Sequence, residues 1–585
     1  MKLPPSKSGR EKLLGVAAST PLPRPPSASD RVPYDVQALP EDCPVRPLGM
    51  LDSKTPAAVY LSASGVIIEL SGQAHGQGNL EMLFAPKNDY LYAHWPRINT
   101  KDKIDGFKAE MVRAALTKAA GDRGIWSELD RVRGSGAWRG DDGGLILHLG
   151  DRVMIRDGVH KWGEIDGYVY PAAAQRQGPH HHQQPDGAAG PAQQLLTLLE
   201  TWNWKHPIGA RLALGWICAA MLSGALKWRP AIWPTGDRGT GKTTLIDLIK
   251  GLFGPGGAIS TANTTAAGIR QALMNRSLPV LLDELEAQDD GGDMVQKVIE
   301  LLRQASSGAI GLRGGADHKG TMFTIRSSMM ATSIMVPPLR SQDRSRIAVL
   351  ELLPLRAGGR PPALSTEQLQ DLGQRLLRRM ADQWRNLPDR LETWCAELGA
   401  HLNMDARGQD QFGTLLACAD LALHDAAPDP DSLADLVSVQ LRPMLDAARD
   451  DDVPDWRRCL DHVLTHACER YLNGERPPLG DLAARAAGYT PGGDEDTPAR
   501  ALVSYGLGLH LVNGVQHLAV ANQHKELSKV FQGTIWAGRS GTSGGWRQTL
   551  LRMPGAHPSR NAVFFGGWRT RAAMIPLDLA LGRQV

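Results

Sequence analysis

Residues 231–252 of this chain read AIWPTGDRGTGKTTLIDLIKGL. Residues 231–233 form a short apolar run, residues 236–243 are rich in glycine, and the residues that follow have apolar side chains at helical spacing. A strand, a glycine-rich turn and a helix in this order are typical of a phosphate-binding loop. The stretch therefore predicts an α/β nucleotide-binding fold around it.

The glycine-rich turn carries the residue types that phosphate binding requires. Its glycines let backbone N–H groups point inward at the phosphates, and the start of the following helix adds positive potential. Lys242 can reach the β and γ oxygens of a nucleotide, and Thr243 is placed to bind Mg²⁺. We therefore expect ATP and Mg²⁺ as cofactors. The predicted nucleotide-binding residues are Gly236, Gly239, Thr240, Gly241, Lys242, Thr243 and Thr244.

Residues 279–284 form an apolar run that ends in two carboxylates, Asp283 and Glu284. Such a run predicts a buried strand that places an acid beside Mg²⁺ at the edge of a sheet. We expect Asp283 to lie on the metal side and Glu284 to orient the attacking water, because phosphoryl transfer depends mainly on positioning. The alternative is a strand that meets a solvated helix start, where Asp283 or Glu286 is only a helix cap.

Two later segments supply further candidate residues of the same site. Residues 328–335 form another strand-like run, and Thr332 and Ser333 near its end are both candidates for a sensor of the γ-phosphate. Residues 337–350 then place Arg346 and Arg344 just before a strand, where an arginine can cross a subunit boundary and stabilise the transition state. We favour Arg346, with Arg344 second. The alternative is a surface salt bridge to Asp343.

Residues 309–326 read as a hairpin between these segments. Two arms with alternating apolar and polar residues flank a glycine-rich tip that carries His318 and Lys319. Such a tip can project two hydrogen-bond donors towards a central substrate and contact its phosphates. A merely solvated turn is the alternative reading.

Taken in order, these motifs resemble those of a known family. Residues 192–355 look like the ATPase domain of superfamily III helicases, especially the poxvirus and phage primase–helicase branch. The spacing of 41 residues between Lys242 and Asp283, followed by the basic hairpin, the sensor run and the arginines, is similar to that family's layout. The family usually has Asn as the sensor, where this chain has Thr332 or Ser333.

The resemblance implies an AAA+-like ATPase that assembles as a homo-oligomer, a hexameric ring, and moves along single-stranded or forked DNA, 3′ to 5′, in phage or mobile-element replication. Members of the branch often carry a primase, which needs clustered acids on a sheet to hold two metal ions. The N-terminal residues contain no Asp-x-Asp strand. A primase or another replication protein would therefore be a separate partner.

The length of 585 residues, with 42% hydrophobic and 22% charged residues, predicts a folded chain of several domains. We expect a multidomain architecture in which a central α/β ATPase is flanked by a small N-terminal α+β domain, a helical domain and a C-terminal winged-helix-like domain. The predicted boundaries are a disordered arm at 1–47, the N-terminal domain at 48–170, a linker at 171–190, the ATPase at 191–357, the helical domain at 358–487, a linker at 488–498 and the basic domain at 499–585.

The C-terminal domain is distinguished by its charge. Residues 499–585 contain ten Lys and Arg residues and two acidic residues, so this segment carries +8 in a chain whose total is +3. A compact basic domain suggests a polyanionic partner, most often nucleic acid, although a plain packing role is possible. We expect Arg547 and Arg552 on one helical stretch and a wing formed by strands at 562–566 and 571–576. Its tip would carry Trp568, Arg569 and, beside it, Arg571.

Cysteine spacing and hydropathy predict the compartment. The six cysteines are far apart and form no Cys-x-x-Cys pair, which favours a reducing cytosol. The longest apolar run, residues 212–226, is shorter than the roughly 20 residues that cross a bilayer, and nothing at the N-terminus marks a secretory signal. We expect the cytosol of a bacterial host and no membrane partner.

The sequence thus favours an ATP-driven DNA helicase or translocase, with ATP sites completed by neighbouring subunits. A second hypothesis is an ATPase switch or loader that remodels a protein partner. A third is an origin-binding replication initiator that uses ATP only for assembly.

Overall fold

The computed structural model describes residues 38–52, 56–262, 264–285, 292–314, 320–337, 339–355, 364–450, 454–469, 471, 474–489, 495–537 and 544–582. The chain divides into two compact units. Unit 1 comprises residues 1–133, 150–152 and 160–174, and unit 2 comprises residues 134–149, 153–159 and 175–585.

Unit 1 is a small α+β body around a four-stranded sheet. The strands lie in the order Ile67–Ser71, Ala57–Leu61, Arg46–Leu51 and Ile125–Trp126. The first two form an antiparallel hairpin around Ser64 and Gly65, and the longest helix of the unit is Ala109–Asp122. The remaining elements are the helices Gln77–Phe84, Asp89–His94 and Glu128–Arg131 and the hairpins Pro96–Ile98 with Ile104–Phe107 and Gly163–Ile165 with Tyr168–Tyr170.

The predicted arm at 1–47 is folded at its C-terminal end. Residues 1–37 lie outside the described residues. Cys43 and Val45, however, are buried in the core of unit 1 together with Tyr60 and Leu83. This correction has a simple cause, because two apolar side chains among prolines and acids suffice to anchor a segment that has no periodic pattern.

Unit 2 is built on a five-stranded parallel sheet. From one edge to the other, the strands are Ile259–Ala262, Val280–Asp283, Met329–Ala331, Ala231–Thr235 and Ile347–Glu351. All four pairings between neighbours are parallel. We call Ala231–Thr235 the loop strand, Val280–Asp283 the acidic strand and Met329–Ala331 the middle strand, since the last lies between the other two.

The two faces of this sheet are covered by different helices. Along the strands, successive side chains point to opposite faces. Ile232, Leu281 and Met330 therefore pack with the helices Ile208–Met221 and Lys242–Phe253. Trp233 and Leu282 pack on the opposite side with the helices Ala266–Leu273 and Gly292–Ser307. Both faces are buried, which explains why the strands read as continuous apolar runs.

The helices after residue 365 share the core of the parallel sheet instead of forming a separate domain. Gly373 lies against the carbonyl of Leu252 at the end of the helix Lys242–Phe253, and Gly215 lies against the carbonyl of Leu415. A methyl group at either position would collide with backbone, so these glycines permit the helices to approach closely. The helices after residue 365 are Thr366–Gln383, Leu387–Leu402, Ala406–Leu423, Pro430–Asp435, the π-helix Leu436–Leu441 and Arg442–Asp450. A further helix, Pro191–Leu199, precedes the sheet.

Two stretches belong to unit 2 that the sequence placed elsewhere. Within the predicted linker, the side chain of Gln177 donates hydrogen bonds to the carbonyls of Leu252 and Gln370, so this segment is packed. Within the predicted N-terminal domain, the segment from residue 134 is held by hydrogen bonds of Ser277 to the carbonyls of Ser135 and Ala137. Within unit 2, its strand Gly136–Arg139 pairs antiparallel with Leu145–His148, and Leu147 and His148 pair with Met154 and Val153 on the other side.

The C-terminal residues of unit 2 form a mixed helix and sheet region, which we call the tail. Its antiparallel sheet has the order Leu507–Val512, Val515–Ala521, Ala572–Pro576 and His557–Pro558. Its core includes Cys459 and Leu482, so it extends across the segment 488–498 that the sequence marks as a linker. The helices are Asp455–Leu464, Leu479–Ala486, Asp496–Ser504, Lys525–Val530, Gly545–Leu550 and Leu577–Ala580.

A hairpin, which we call the wing hairpin, lies where the wing was predicted, but its second strand is not the predicted one. Its strands are Val563–Phe565 and Trp568–Thr570, which pair antiparallel around Gly566 and Gly567. Both glycines have positive φ, as two-residue hairpin turns require. The prediction that the turn lies at residues 567–569 was wrong, because the paired glycines and not the following aromatic set the turn. The strand Ala572–Pro576 pairs with Val515–Ala521 instead.

Within the described part of the chain, no helix is both long and apolar enough to cross a membrane.

Candidate functional site

The predicted phosphate-binding loop, residues 236–241, which we call the phosphate loop, joins the buried loop strand to the helix Lys242–Phe253. Gly236, Gly239 and Gly241 all have positive φ. At Gly236 a methyl group would also meet the carbonyl oxygen of Leu352. The helix starts at Gly241, which has no side chain to cap the first N–H groups. These N–H groups are therefore available to an anion, as the sequence predicts.

Lys242 and Thr240 stabilise the loop from within. The ammonium of Lys242 donates to the carbonyl oxygens of Gly236 and Asp237, at 2.5 and 3.0 Å. The hydroxyl of Thr240 is buried and donates to the carbonyl of Asp237 at 2.9 Å. Among the described residues, no carboxylate lies within ion-pair distance of Lys242. Its positive charge is therefore balanced only by backbone dipoles, which phosphate oxygens can replace.

Trp202 is a contact of the loop that the sequence analysis missed. Its indole N–H donates to the carbonyl of Gly241 at 3.0 Å, and a methyl group on Gly241 would collide with the same indole nitrogen. Trp202 follows the helix Pro191–Leu199, 39 residues before the loop. A tryptophan at that separation carries no local motif, so only the folded structure identifies it as a support of the loop.

Asp283, Thr332 and Glu284 meet at the carboxyl ends of neighbouring strands. The hydroxyl of Thr332 donates to Oδ1 of Asp283 at 2.9 Å, and it accepts a hydrogen bond from the backbone N–H of Glu284 at 3.2 Å. Glu284 has a φ of 51°, which is in the left-handed region that few residues other than glycine adopt. Thr332 thus fixes both the carboxylate of Asp283 and the backbone from which Glu284 projects.

The two predicted sensor hydroxyls point in different directions. Ser333 accepts a hydrogen bond from the indole N–H of Trp233 at 2.8 Å, and both side chains are buried. The backbone of Ser333 also forms a parallel bridge with Thr235, the last residue of the loop strand. The middle strand therefore connects the acidic strand to the phosphate loop, with the hydroxyl of Thr332 on the acids and that of Ser333 on the tryptophan.

Arg346 and Arg344 lie just before the edge strand Ile347–Glu351. The guanidinium of Arg346 lies over the ring of Trp228, 5.9 Å from its centre, and donates to the carbonyl of Gln342. Its Nε is buried without a hydrogen-bond partner among the described residues. Burial and the nearby cations Arg407 and Arg303 lower the pKa of Arg346.

Asp343 is fully buried, and its described ion pair is with Arg303 at 3.3 Å, not with Arg346. Burial raises the pKa of the Asp343 carboxyl. The alternative reading of the sequence, a surface salt bridge between an arginine and Asp343, therefore does not describe this buried aspartate.

Arg344 lines a cavity next to the phosphate loop. It donates from Nε to the carbonyl of Leu339 at 3.2 Å. The cavity, with a volume of about 350 Å³, is mainly apolar and also reaches Thr235, Glu351 and Met444. The structure thus places Arg344 near the end of the loop strand.

The hairpin between the acidic and middle strands is confirmed in its arms. Ile310–Gly314 pairs antiparallel with Gly320–Thr324. The predicted DNA-binding residues of its tip, His318 and Lys319, lie outside the described residues.

The predicted DNA-binding residues of the tail are mostly exposed. Trp568 and Arg569 lie on the second strand of the wing hairpin, and Arg571 follows it. Arg547 lies in the helix Gly545–Leu550, whereas Arg552 lies in the turn after it. The prediction that these two arginines share a helix is therefore corrected. The helix ends at Leu550, and Leu550 and Met553 are both buried in the tail core.

The predicted Mg²⁺ site would take only two of its ligands from protein side chains. Within the described residues, no group of three or more His, Cys, Asp or Glu side chains is arranged to hold a metal ion. Thr243 and Asp283 would supply one hydroxyl and one carboxylate. This fits Mg²⁺, which usually keeps several waters and binds phosphate oxygens of the substrate as well.

The chain was compared with known families, curated proteins and solved structures. No protein-family model and no curated protein matches it. Among solved structures, the active helicase Cch of SCCmec type IV is 12% identical over 92% of this chain and 95% of its own, with a TM-score of 0.47. The apo C-terminal region of NrS-1 is 12% identical over 92% of this chain and all of its own, with a TM-score of 0.35. At these values the likeness establishes no family.

Proposed function

We propose that the chain is a DNA helicase or translocase driven by ATP hydrolysis. The observation that carries the ATPase part is the edge of the parallel sheet. There the uncapped helix start at Gly241 is joined through the middle strand to the Thr332–Asp283 pair. Ligands of open parallel sheets bind outside the carboxyl ends of the strands. The two halves of the site therefore face the same volume.

Each residue has a distinct role in this proposal. The N–H groups after Gly241 and the ammonium of Lys242 bind the phosphates of ATP. Thr243 and Asp283 hold Mg²⁺, which neutralises charge that develops on the phosphate oxygens. Glu284 orients the attacking water, and Thr332 positions both acids. Arg346, or Arg344 as second choice, completes the site of a neighbouring subunit in a ring, for which the resemblance to superfamily III helicases suggests a hexamer.

The DNA part of the proposal rests on charge and on the order of motifs. In the tail, Arg552, Arg569 and Arg571 are exposed, and none has an ion-pair partner within the described residues. Unpaired arginines on one domain bind phosphates with strong salt dependence. The winged-helix assignment of the tail, the hairpin tip at His318 and Lys319, and a role in phage or mobile-element replication belong to this proposal.

The test is ATP-dependent unwinding of forked DNA with tails of each polarity. We expect Lys242→Ala to abolish both ATP turnover and unwinding. Glu284→Gln should retain ATP binding but hydrolyse it at least about a hundredfold more slowly. Lys250→Ala is the matched control, because Lys250 lies on the same helix, is exposed and, within the described part of the chain, forms its ion pair with Asp247 alone. Unwinding that survives Lys242→Ala would refute the helicase mechanism.

The same assay separates the other hypotheses. ATP turnover that is indifferent to DNA, with no fork unwound, would favour the switch or loader. DNA binding and ATP-dependent assembly without unwinding would favour the origin-binding initiator.

A further inference from the structure

The wing hairpin of the tail has two faces with different surroundings. Phe565 is 1% exposed and packs in the tail core, which fixes one face of the hairpin against the domain. Phe564 is the next residue and is 65% exposed, since successive side chains of a strand point to opposite faces. Arg569 lies directly opposite Phe564 in the other strand. Their Cβ atoms are therefore about 5 Å apart.

Exposed Phe and Trp side chains are concentrated on this hairpin. Among the large hydrophobic residues that are exposed in the described part of the chain, only Phe564 and Trp568 are aromatic. Trp568 is 54% exposed and pairs with Phe565, so the two exposed rings lie on opposite faces. Single exposed apolar residues are common and need no ligand. Two exposed aromatic rings on one short hairpin, next to a core in which neither is buried, are not explained by chance exposure of single residues.

The charge around the hairpin is positive. Arg560, Arg569 and Arg571 are exposed, and no carboxylate of the described residues forms an ion pair with them. The turn at Gly566 and Gly567 has no side chains, so it leaves access to the rings on both sides. An aromatic ring beside an unpaired guanidinium is the pair of groups that recognises a base and its phosphate.

We infer that the wing hairpin is a stacking platform for unpaired nucleobases, on which Phe564 stacks against a base and Arg569 binds the adjacent phosphate. This inference rests on the proposed function, because it takes DNA as the substrate and specifies its single-stranded part. Every base has a flat π-face, so the platform tolerates any sequence. In a base-paired duplex the faces are already stacked on their neighbours, so the platform prefers single strands and the frayed end of a fork.

The experiment measures binding of the full chain to a single-stranded oligonucleotide that carries 2-aminopurine, and to a blunt duplex of equal length. We expect Phe564→Ala to weaken single-strand binding about tenfold and to leave duplex binding unchanged. Phe564→Leu keeps an apolar side chain but has no ring, so it should bind single strands as weakly as Phe564→Ala. Phe564→Tyr keeps the ring and should bind single strands as tightly as the wild type. The slope of log affinity against log salt is negative, and Arg569→Ala should make it shallower by about 0.7, whereas Phe564→Ala should not change it.

Leu511→Ala is the matched control, because Leu511 is 71% exposed on the other hairpin of the same tail. If Phe564→Ala binds single strands as tightly as the wild type, or if Leu511→Ala weakens binding equally, the platform is refuted. The proposed function still stands in that case, provided that ATP-dependent unwinding persists. If the wild-type chain binds no DNA, the proposed function fails together with the platform.

Discussion

At the scale of single residues, Glu284 shows how strain and hydrogen bonding are combined at the site. A residue other than glycine with a φ of 51° costs roughly 1–3 kcal/mol. The hydrogen bond from its N–H to the hydroxyl of Thr332 helps to hold that conformation. Strained conformations of this kind persist only where the surrounding structure holds them in place, and they are concentrated at active sites.

The first prediction concerns Thr332. Thr332→Val keeps the shape of the side chain but removes the hydroxyl that binds Asp283 and Glu284, so we expect kcat of ATP hydrolysis to fall roughly ten- to a hundredfold. The KM for ATP should change little, because the phosphate loop is untouched. Thr332→Ser should restore most of the loss. Steady-state ATPase kinetics give kcat and KM separately.

Ser333→Ala serves as the control for Thr332. It removes the hydrogen-bond acceptor of the buried indole of Trp233, so it should lower the melting temperature, corresponding to about 1–3 kcal/mol. It should leave kcat close to the wild-type value. If Ser333→Ala stops turnover and Thr332→Val does not, the two roles assigned here are reversed.

At the scale of elements, close helix packing depends on small residues. The helices Ile208–Met221 and Ala406–Leu423 make backbone contact at Gly215, where a methyl group would lie 1.9 Å from the carbonyl oxygen of Leu415. Buried Gln411 joins the second helix to the loop strand, since its side chain donates to the carbonyl of Ala231 at 2.7 Å. The position of the phosphate loop therefore depends in part on a helix that follows it by more than 150 residues.

The second prediction follows from this contact. Gly215→Ala should destabilise unit 2 by about 3 kcal/mol, because two helices have to separate to admit the methyl group. Gly121→Ala is the control. It lies in the helix Ala109–Asp122 with no atom near the new methyl group, so it should stabilise its unit by about 0.5–1 kcal/mol. Scanning calorimetry of the full chain measures both. Equal melting temperatures for the two variants would contradict the packing argument.

The sequence predicts elements better than it predicts their partners. The loop strand, the acidic strand and the hairpin arms are marked by local patterns and were confirmed. It does not distinguish Thr332 from Ser333, because adjacent residues of a strand face opposite sides and only the pairing shows which side holds Asp283. Trp202 and Gln411 act at long sequence separation and have no motif. The boundary at 488–498 looks like a linker by composition, although the tail core extends across it.

At the scale of the whole molecule, the arginines before the edge strand are supported by residues from other elements. Arg346 lies over Trp228, whose indole N–H donates to Gln411. Arg303 lies on the helix that leads into the hairpin Ile310–Thr324 and pairs with buried Asp343, three residues before Arg346. A segment held so firmly within its own chain is suited to present an arginine at a fixed position to a neighbouring subunit.

The third prediction tests whether neighbours share ATP sites. Arg346→Ala alone should lower ATP turnover about a thousandfold, as loss of a transition-state arginine does in other NTPases. Lys242→Ala should also be inactive, because its own site has lost the lysine that binds the phosphates. It retains Arg346 and can still complete the site of a neighbour. In an equal mixture, a site is complete only where a subunit with Lys242 meets a neighbour with Arg346. This occurs at about a quarter of the interfaces of a randomly assembled ring.

We therefore expect the mixture to hydrolyse ATP at about a quarter of the wild-type rate, whereas each variant alone is nearly inactive. The measurement is ATP turnover at protein concentrations where the wild-type rate per subunit no longer rises with concentration, so that the subunits are assembled. Mixing Arg344→Ala with Lys242→Ala tests the second-choice arginine in the same way. A mixture no more active than its parts shows that Arg346 does not act across a subunit boundary. An Arg346→Ala variant with full activity excludes the arginine from the reaction, because an essential transition-state cation cannot be removed without loss of rate.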